Sequence, residues 1–414
     1  MGKDYNFDYI VIGSGPAGRT AATNLAKSDK KVAIVECETL GGAEISTRDF
    51  PYQASLDFAY TYYKFTSFHA VRDTSCHFNF PTLVSSIDEA IAKKQDQIEK
   101  NLKSAGILLI TGFAHFLDSH TIAVENIKYT AKYFILATGS RLKANEISGL
   151  ESVKYLDPDT AICLRRPPKF VFVAGGGPTG IEIAEYFAML GVGVIIMERA
   201  DHILPREDEE IATAITNHLT EKLGVTIITN SKVVQIAEDH SSKIVIFMNG
   251  SSEKMVRVDC IILATGSEPF LDYGLENAGV DYRRTGITVD KYFTTTAKNI
   301  FAIGDCINSA DSSTERAIHE ANILTENLLH RNKSIAKYSN IPRTIHIHPE
   351  IATIGMNERD CLSRDLKYQK SIVNLDAPGS FIKTLNDRSG RFLGATIVAE
   401  NASLALKLKK LLTK

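Results

Sequence analysis

Behind the double glycine Gly41-Gly42 the chain reads Ala-Glu-Ile-Ser-Thr-Arg-Asp-Phe-Pro, which sets Glu44 and Asp49 in one loop with Arg48 beside them. Two glycines in succession let a backbone come close to a bound molecule. Neighbouring carboxylates offer proton transfer when their repulsion keeps one of them protonated. Arg48, four residues beyond Glu44, offers the opposite outcome, because an i,i+4 ion pair on one helical turn neutralises the loop. Residues 41–56 contain no cysteine, so the loop has no thiol chemistry of its own.

The elements that must position this loop begin upstream. An apolar run, YIVIG, leads into GSGPAG and the helical pattern RTAATNLAKSD, and KVAIVE then supplies a second strand ending in Glu36. Glycines spaced G-x-G-x-x-G between strand and helix, with an acid closing the next strand, form a dinucleotide-binding unit. Gly13 permits the turn, Gly15 lets the backbone approach a pyrophosphate, and Gly18 lets helix and strand pack closely. The helix N-terminus offers N–H donors to the phosphates, and Glu36 accepts from an adenosine ribose.

The same device recurs in FVFVAGGGPTGIEIAEYFAMLGVGVIIMER, with Gly175, Gly177 and Gly180 between strand and helix and Glu198 closing the following strand. One chain therefore carries two dinucleotide sites. A carboxylate at position 198 repels a 2′-phosphate, so the second site favours NADH over NADPH, with the adjacent Arg199 softening the preference. YFILATGSR and CIILATGSEP are paired strands running into Ala-Thr-Gly, one before and one after the second unit, which makes that unit an insertion. NIFAIGDC then ends a strand in Gly304-Asp305, a carboxylate at the cofactor edge of a doubly wound sheet or else the N-cap of the following helix.

The expected architecture is α/β, with two Rossmann-like dinucleotide-binding domains, one inserted in the other, and a shortened α+β domain at the C-terminus. The boundaries read 1–149 and 268–337 for the first domain, 150–267 for the insertion and 338–414 for the last, whose short strands precede a helix to Lys414. A formal charge of −2 removes the electrostatic argument for nucleic acid. No apolar segment of signal or membrane-spanning length is present, which reads as a cytoplasmic protein. Its six cysteines have no metal or redox spacing and read as small buried residues. His346 and His348 alternate in HIHPE, a pattern assigned to a strand and to no metal.

Together these motifs resemble the flavoprotein disulfide reductase family, the group of dihydrolipoamide dehydrogenase, glutathione reductase and mercuric reductase, over nearly the whole chain. The resemblance implies FAD on Gly13, Gly15, Gly18, Glu36, Gly42, Ala114, Thr138, Gly139 and Asp305. It implies the nicotinamide cofactor on Gly175, Gly177, Gly180, Glu198 and Gly266, and VIIMERADHILP is most similar to the NADH-using members. It also implies a homodimer joined through the last domain. The family's loop, of Gly-Gly-x-Cys-x-x-x-x-Cys-x-Pro-Ser-Lys type, aligns without a gap, but Glu44 and Asp49 stand in the cysteine positions and Tyr52-Gln53 in those of Ser-Lys. That lysine reaches the flavin N5 region in the family and pairs with a glutamate matching Glu182, so a Gln53–Glu182 hydrogen bond is expected here. The family's terminal His-x-x-x-x-Glu acid–base segment has no counterpart in the last thirty residues.

Disulfide reduction by the family mechanism is therefore not expected. Hydride transfer from nicotinamide to flavin is, because it needs only face-to-face placement. The reading is an FAD-dependent NADH oxidoreductase that passes electrons to a quinone, dye, metal ion, dioxygen or protein carrier. Soluble pyridine nucleotide transhydrogenases are neighbours, although Glu198 disfavours their NADPH half. The alternatives are a flavoprotein retained as a binding or regulatory subunit, and an NADH sensor. If Glu44 and Asp49 keep the family's backbone geometry, their Cα atoms lie within about 7 Å and one of them serves as a proton donor, unless Arg48 neutralises the pair. In FAYTYYKFTSF, Phe58, Tyr62 and Phe65 share one helical face and Tyr60 and Tyr63 another, which suits packing or a flat acceptor.

Overall fold

The computed structural model describes residues 5–46, 49–67, 79–143, 147–240, 242–308, 313–330 and 333–400, without the side chains of 46, 49 and 50. Two compact units divide the chain: Met1–Pro51, Asp88–Lys143 and Ser267–Tyr338 form the first, and Tyr52–Ile87, Ala144–Gly266 and Ser339–Lys414 the second.

In the first unit the β-branched strand Phe7–Ile12 is followed by the helix Pro16–Ala26 and the parallel strand Val32–Glu36. Parallel pairing continues outward to Leu108–Thr111 on one side. On the other side it reaches Ile127–Leu136 and then Ile300–Ala302. The strand order reverses at Phe7–Ile12, and ligands of open α/β sheets lie beyond the carboxyl ends of strands at such a switch point. Gly13, Ala137–Gly139 and Gly304-Asp305 all occupy that edge. Ile10, Val11, Ala21, Leu25, Ile34 and Phe134 fill the core beneath it at full burial, each large side chain contributing about 1.5–3 kcal/mol.

The second unit repeats the plan. Its parallel strands run in the order Thr226–Ile228, Gly193–Met197, Phe170–Ala174 and Cys260–Leu263, with the helix Pro178–Met189 as crossover. An antiparallel sheet of Arg343–Ile345, Glu350–Gly355, Phe392–Ala399, Phe381–Asp387 and Tyr368–Asn374, in that order, belongs to the same unit. Ile345, Ile347, Ile351 and Val398 join the hydrophobic cluster around Phe187 and Ile196, so this sheet and the parallel one share a core.

Several expectations change. His346 and His348 lie in the connection between two strands, which ends in a cis His348–Pro349 bond, and not on a strand. The helix after Asp305, Thr314–Leu329, is capped by Ser313, whose side chain accepts from the Arg316 N–H; Asp305 is not its cap. Cys260, Cys306 and Cys361 are buried as expected, but Cys37 and Cys163 are exposed. Cys76 and the expected C-terminal helix lie outside the described residues. No described helix is long and apolar enough to cross a membrane.

Candidate functional site

The two glycine loops are built alike. In the first, Glu36 accepts from the Ser14 N–H at 2.9 Å, the Ser14 hydroxyl at 2.6 Å and the Glu38 N–H at 2.9 Å. In the second, Glu198 accepts from the Gly176 N–H at 2.7 Å and the Ala200 N–H at 2.8 Å. Each carboxylate is thus fixed at its strand end by its own loop while its oxygens keep lone pairs for a ribose.

Close approach explains the glycines. A Cβ on Gly13, at φ +103°, would stand 2.2 Å from the Ala137 carbonyl, and one on Gly175, at +112°, 2.3 Å from that of Ala264. Gly18 and Gly180 are blocked in the same way by the carbonyls of Gly13 and Gly175, at 1.9 and 2.0 Å. Gly15 and Gly177 face open space within 4 Å. Each is the N-cap of its helix, with proline in the first turn, no acidic residue there and no side-chain cap. The uncapped N–H groups above an open, Cβ-free cradle are the donors a pyrophosphate takes.

The remaining first-unit residues gather at the same edge. The Ser14 hydroxyl also accepts from the Gly41 N–H at 2.8 Å, and a Cβ on Gly42 would lie 2.9 Å from Gly15 Cα, so the double glycine packs directly on the first loop. Thr138 donates to the Phe270 carbonyl at 3.1 Å, and Ser140 donates to Asp305 at 3.2 Å. Gly139 lies beyond the end of Ile127–Leu136, and Ala114, itself buried, opens the antiparallel strand Ala114–Asp118. The peptide leading into Asp305 is held by Glu320, which is fully buried and accepts from the Gly304 N–H at 2.7 Å, Arg316 Nε at 2.8 Å and the Tyr338 hydroxyl at 3.0 Å. Burial raises the Tyr338 hydroxyl, with Glu320 adding to it, to about 12.

Glu44 pairs with Arg19 of the helix Pro16–Ala26, a cation that the sequence pattern did not single out. Both side chains are about four-fifths buried. Arg48 and the Asp49 carboxylate, on which the proton-donor and neutralisation readings depended, lie outside the described residues and side chains. Gly266 follows the strand Cys260–Leu263 at the corresponding edge of the second unit.

In the second unit Gln53 and Glu182 meet one residue from different sides. Gln53 Nε2 stands 3.3 and 3.4 Å from the ring nitrogens of His346, while Glu182 accepts from the His346 main-chain N–H at 2.8 Å. His346 Nδ1 lies 3.2 Å from Glu350 Oε1. One turn along the helix, Glu185 is fully buried and takes the His348 N–H at 3.0 Å and His218 Nε2 at 3.0 Å. Tyr60 stacks on the His348 ring at 3.7 Å, and Tyr60 and Tyr63 pack on the unit's core while Phe58 and Phe65 are exposed. Sequence spacing named His346 in HIHPE but could not bring it to Gln53, from which it is 293 residues away. Among the described residues no cluster of three or more His, Cys, Asp or Glu side chains is arranged to hold a metal.

Paired parallel sheets, each with a glycine cradle and a carboxylate-closed strand, define an α/β protein with two dinucleotide-binding folds. Residues 7–322 match the pyridine nucleotide-disulphide oxidoreductase family, and the chain belongs to it. It is 28% identical over 414 residues to a mercuric reductase of Bacillus cereus, covering 96% of this chain and 65% of that protein. A dihydrolipoyl dehydrogenase of Bacillus subtilis is 30% identical over 417 residues, covering 95% and 89%. The HOCl-induced flavoprotein disulfide reductase RclA from Escherichia coli superposes with a TM-score of 0.86 at 26% identity, covering 98% of this chain and 93% of that one. A Cu(II) complex of a cysteine-to-serine mutant of RclA superposes with a TM-score of 0.88 at 25% identity, covering 99% and 93%. The family uses FAD and NAD(P)H, and the cradle at Gly13–Gly18 with Glu36 and that at Gly175–Gly180 with Glu198 fit two such dinucleotides.

Proposed function

We propose that the chain is an NADH oxidoreductase that holds FAD in its first unit and passes electrons to an acceptor other than a disulfide. The observation that carries this reading is the pairing of two glycine cradles with a loop, residues 41–56, that contains no cysteine and sets Glu44 and Asp49 where the family resemblance implies the thiols. Bound FAD would supply two-electron transfer from nicotinamide; Gly13, Gly15, Gly18, Glu36, Gly42, Ala114, Thr138, Gly139 and Asp305 would hold it. Gly175, Gly177, Gly180, Glu198 and Gly266 would hold the nicotinamide dinucleotide, and the loop-fixed Glu198 favours NADH by repelling a 2′-phosphate. Glu44, neutralised by Arg19, serves to hold the double-glycine loop against the first cradle. Gln53 and Glu182 fix the segment around His346. A homodimer and a cytoplasmic setting complete the reading.

Mixing the yellow holoprotein anaerobically with NADH tests it. Rapid bleaching of the flavin band, followed by recovery on adding a quinone, ferric ion or air, is the expected result. A flavin that NADH fails to bleach overturns the enzyme reading and favours the binding-subunit alternative. For coenzyme choice, calorimetry should show ADP-ribose binding at least tenfold more tightly than its 2′-phosphate, with the gap closing in Glu198→Gln.

A further inference from the structure

We propose that Ser14 is a specificity-determining residue of the first cradle: its hydroxyl takes up an acceptor position of Glu36, so that this carboxylate reads a single hydroxyl of an adenosine ribose where Glu198 reads two. This rests on the reading of the first cradle as the FAD site and deepens it. Ser14 fills the free position of the first G-x-G turn, between Gly13 and Gly15, and is fully buried. Its hydroxyl proton goes to Glu36 Oε2 at 2.6 Å, and its oxygen accepts from the Gly41 N–H at 2.8 Å. One side chain thereby fixes the ribose carboxylate and anchors the double-glycine loop that packs on Gly15.

The difference between the cradles follows from counting acceptor positions. A carboxylate oxygen has two lone pairs to offer. Among the described residues Glu36 Oε2 has two donors, the Ser14 N–H at 2.9 Å and the Ser14 hydroxyl, while Oε1 has one, the Glu38 N–H at 2.9 Å. A single position remains, on Oε1. In the second cradle Gly176 stands at the place of Ser14. A Cβ there would lie 2.9 Å from Ile203 Cγ2 and 3.1 Å from Glu198 Cβ, so a hydroxyl-bearing side chain does not fit. Glu198 consequently has one main-chain donor on each oxygen, the Gly176 N–H on Oε2 at 2.7 Å and the Ala200 N–H on Oε1 at 2.8 Å, and one position open on each. Both carboxylates are half-buried, so these positions face the edge where a ribose arrives.

A ribose presents its 2′- and 3′-hydroxyls side by side. Two open oxygens take both and require both to be free; one open oxygen takes one and is indifferent to the other. The second cradle therefore selects for an intact diol, as a site that chooses between NADH and NADPH must. The first gives up half of that reading to tie Gly41 to its own loop.

The test is equilibrium binding, with no turnover. Apoprotein is titrated with FAD and with FAD analogues lacking the 2′- or the 3′-hydroxyl of the adenosine ribose, followed by the change in flavin fluorescence. The holoprotein, its first cradle filled, is titrated calorimetrically with ADP-ribose and the matching adenosine-deoxy analogues. In the natural protein one deoxy-FAD should bind about tenfold or more weakly than FAD and the other within about twofold of it, whereas both deoxy-ADP-riboses should lose about tenfold. Ser14→Ala keeps the main-chain N–H groups of residues 14 and 38 and vacates a position on Oε2, so both deoxy-FADs should then lose affinity relative to FAD. Equal losses from both deoxy-FADs in the natural protein, an unaltered pattern in Ser14→Ala, or a second cradle that loses with only one analogue overturns the proposal. If Ser14→Ala takes up no flavin, the pattern in the natural protein decides alone. FAD binding that neither hydroxyl affects overturns the proposal while sparing the FAD reading; apoprotein that binds no FAD removes both.

Discussion

Gly177 and Gly180 are three residues apart on the same turn, yet the structure gives them opposite reasons for being glycine, and substituting each by alanine separates folding from binding. In Gly180→Ala the new Cβ would sit 2.0 Å from the Gly175 carbonyl oxygen and 3.3 Å from Ala264 Cβ. Neither neighbour is the flexible end of a side chain, so backbone must move. Overpacking of this kind costs about 1–3 kcal/mol, and more where the main chain itself yields. In Gly177→Ala the Cβ meets nothing within 4 Å, and the backbone, at φ −75° and ψ −179°, is extended. The fold should lose no more than about 0.5–1 kcal/mol, the difference between glycine and alanine at a helix N-cap. Binding should suffer instead, because the methyl group occupies the approach to the uncapped N–H donors. Loss of one charge-assisted hydrogen bond, about 1.5–3 kcal/mol, corresponds to about 10- to 150-fold in Kd. Calorimetric titration with ADP-ribose, a redox-inert fragment carrying the pyrophosphate, measures the affinity, and thermal unfolding measures the fold. Gly177→Ala with unaltered ADP-ribose affinity, or with a melting loss matching that of Gly180→Ala, would refute the assignment of Gly177 to the ligand and Gly180 to packing.

Lys383→Met should be strongly destabilising, by about 3–5 kcal/mol, because Lys383 is 1% exposed and its Nζ lies 2.9 Å from Asp208, 2.6 Å from Glu210 and against Glu358; urea unfolding checks this, and a loss below about 0.5 kcal/mol would contradict it. The same cluster predicts acid sensitivity. Burial opposes ionisation of Glu210, but hydrogen bonds from Lys370 and Lys383 bring its carboxyl down from 4.5 to about 2, and Glu358 is lowered likewise. Both are depressed acids, so their contribution is present above about pH 4.5 and is lost as pH falls toward 2; melting temperatures measured across that window should fall in the natural protein and less steeply in Glu210→Gln. Glu320→Gln should cost about 2–4 kcal/mol by leaving the partly buried Arg316 without its carboxylate, and hydrogen exchange of the Gly304 amide should accelerate, whereas unaltered protection would show that Glu320 does not hold the Asp305 turn.

Glycine spacing determined the two cradles because their geometry is local: a turn at positive φ, a helix N-terminus and a strand end lie within about 25 residues, and few backbones satisfy all three. Gly13–Gly18 with Glu36 and Gly175–Gly180 with Glu198 were therefore legible before any coordinates. So was the absence of cysteine from residues 41–56, since that is a matter of residue identity. Tertiary structure alone decided which groups meet across long separations. Arg19 at Glu44, Glu320 at Gly304, Lys383 among Asp208, Glu210 and Glu358, and His346 at Gln53 and Glu182 are all pairings between elements whose relative register no periodicity encodes. His346 shows the reason most plainly. As letters, HIHPE alternates like a strand, but Glu182 and Glu185 on one helical face draw the main-chain N–H groups of His346 and His348 away from a sheet ladder. A buried carboxylate must be given donors wherever the fold can supply them, and only the folded chain sets which donors those are.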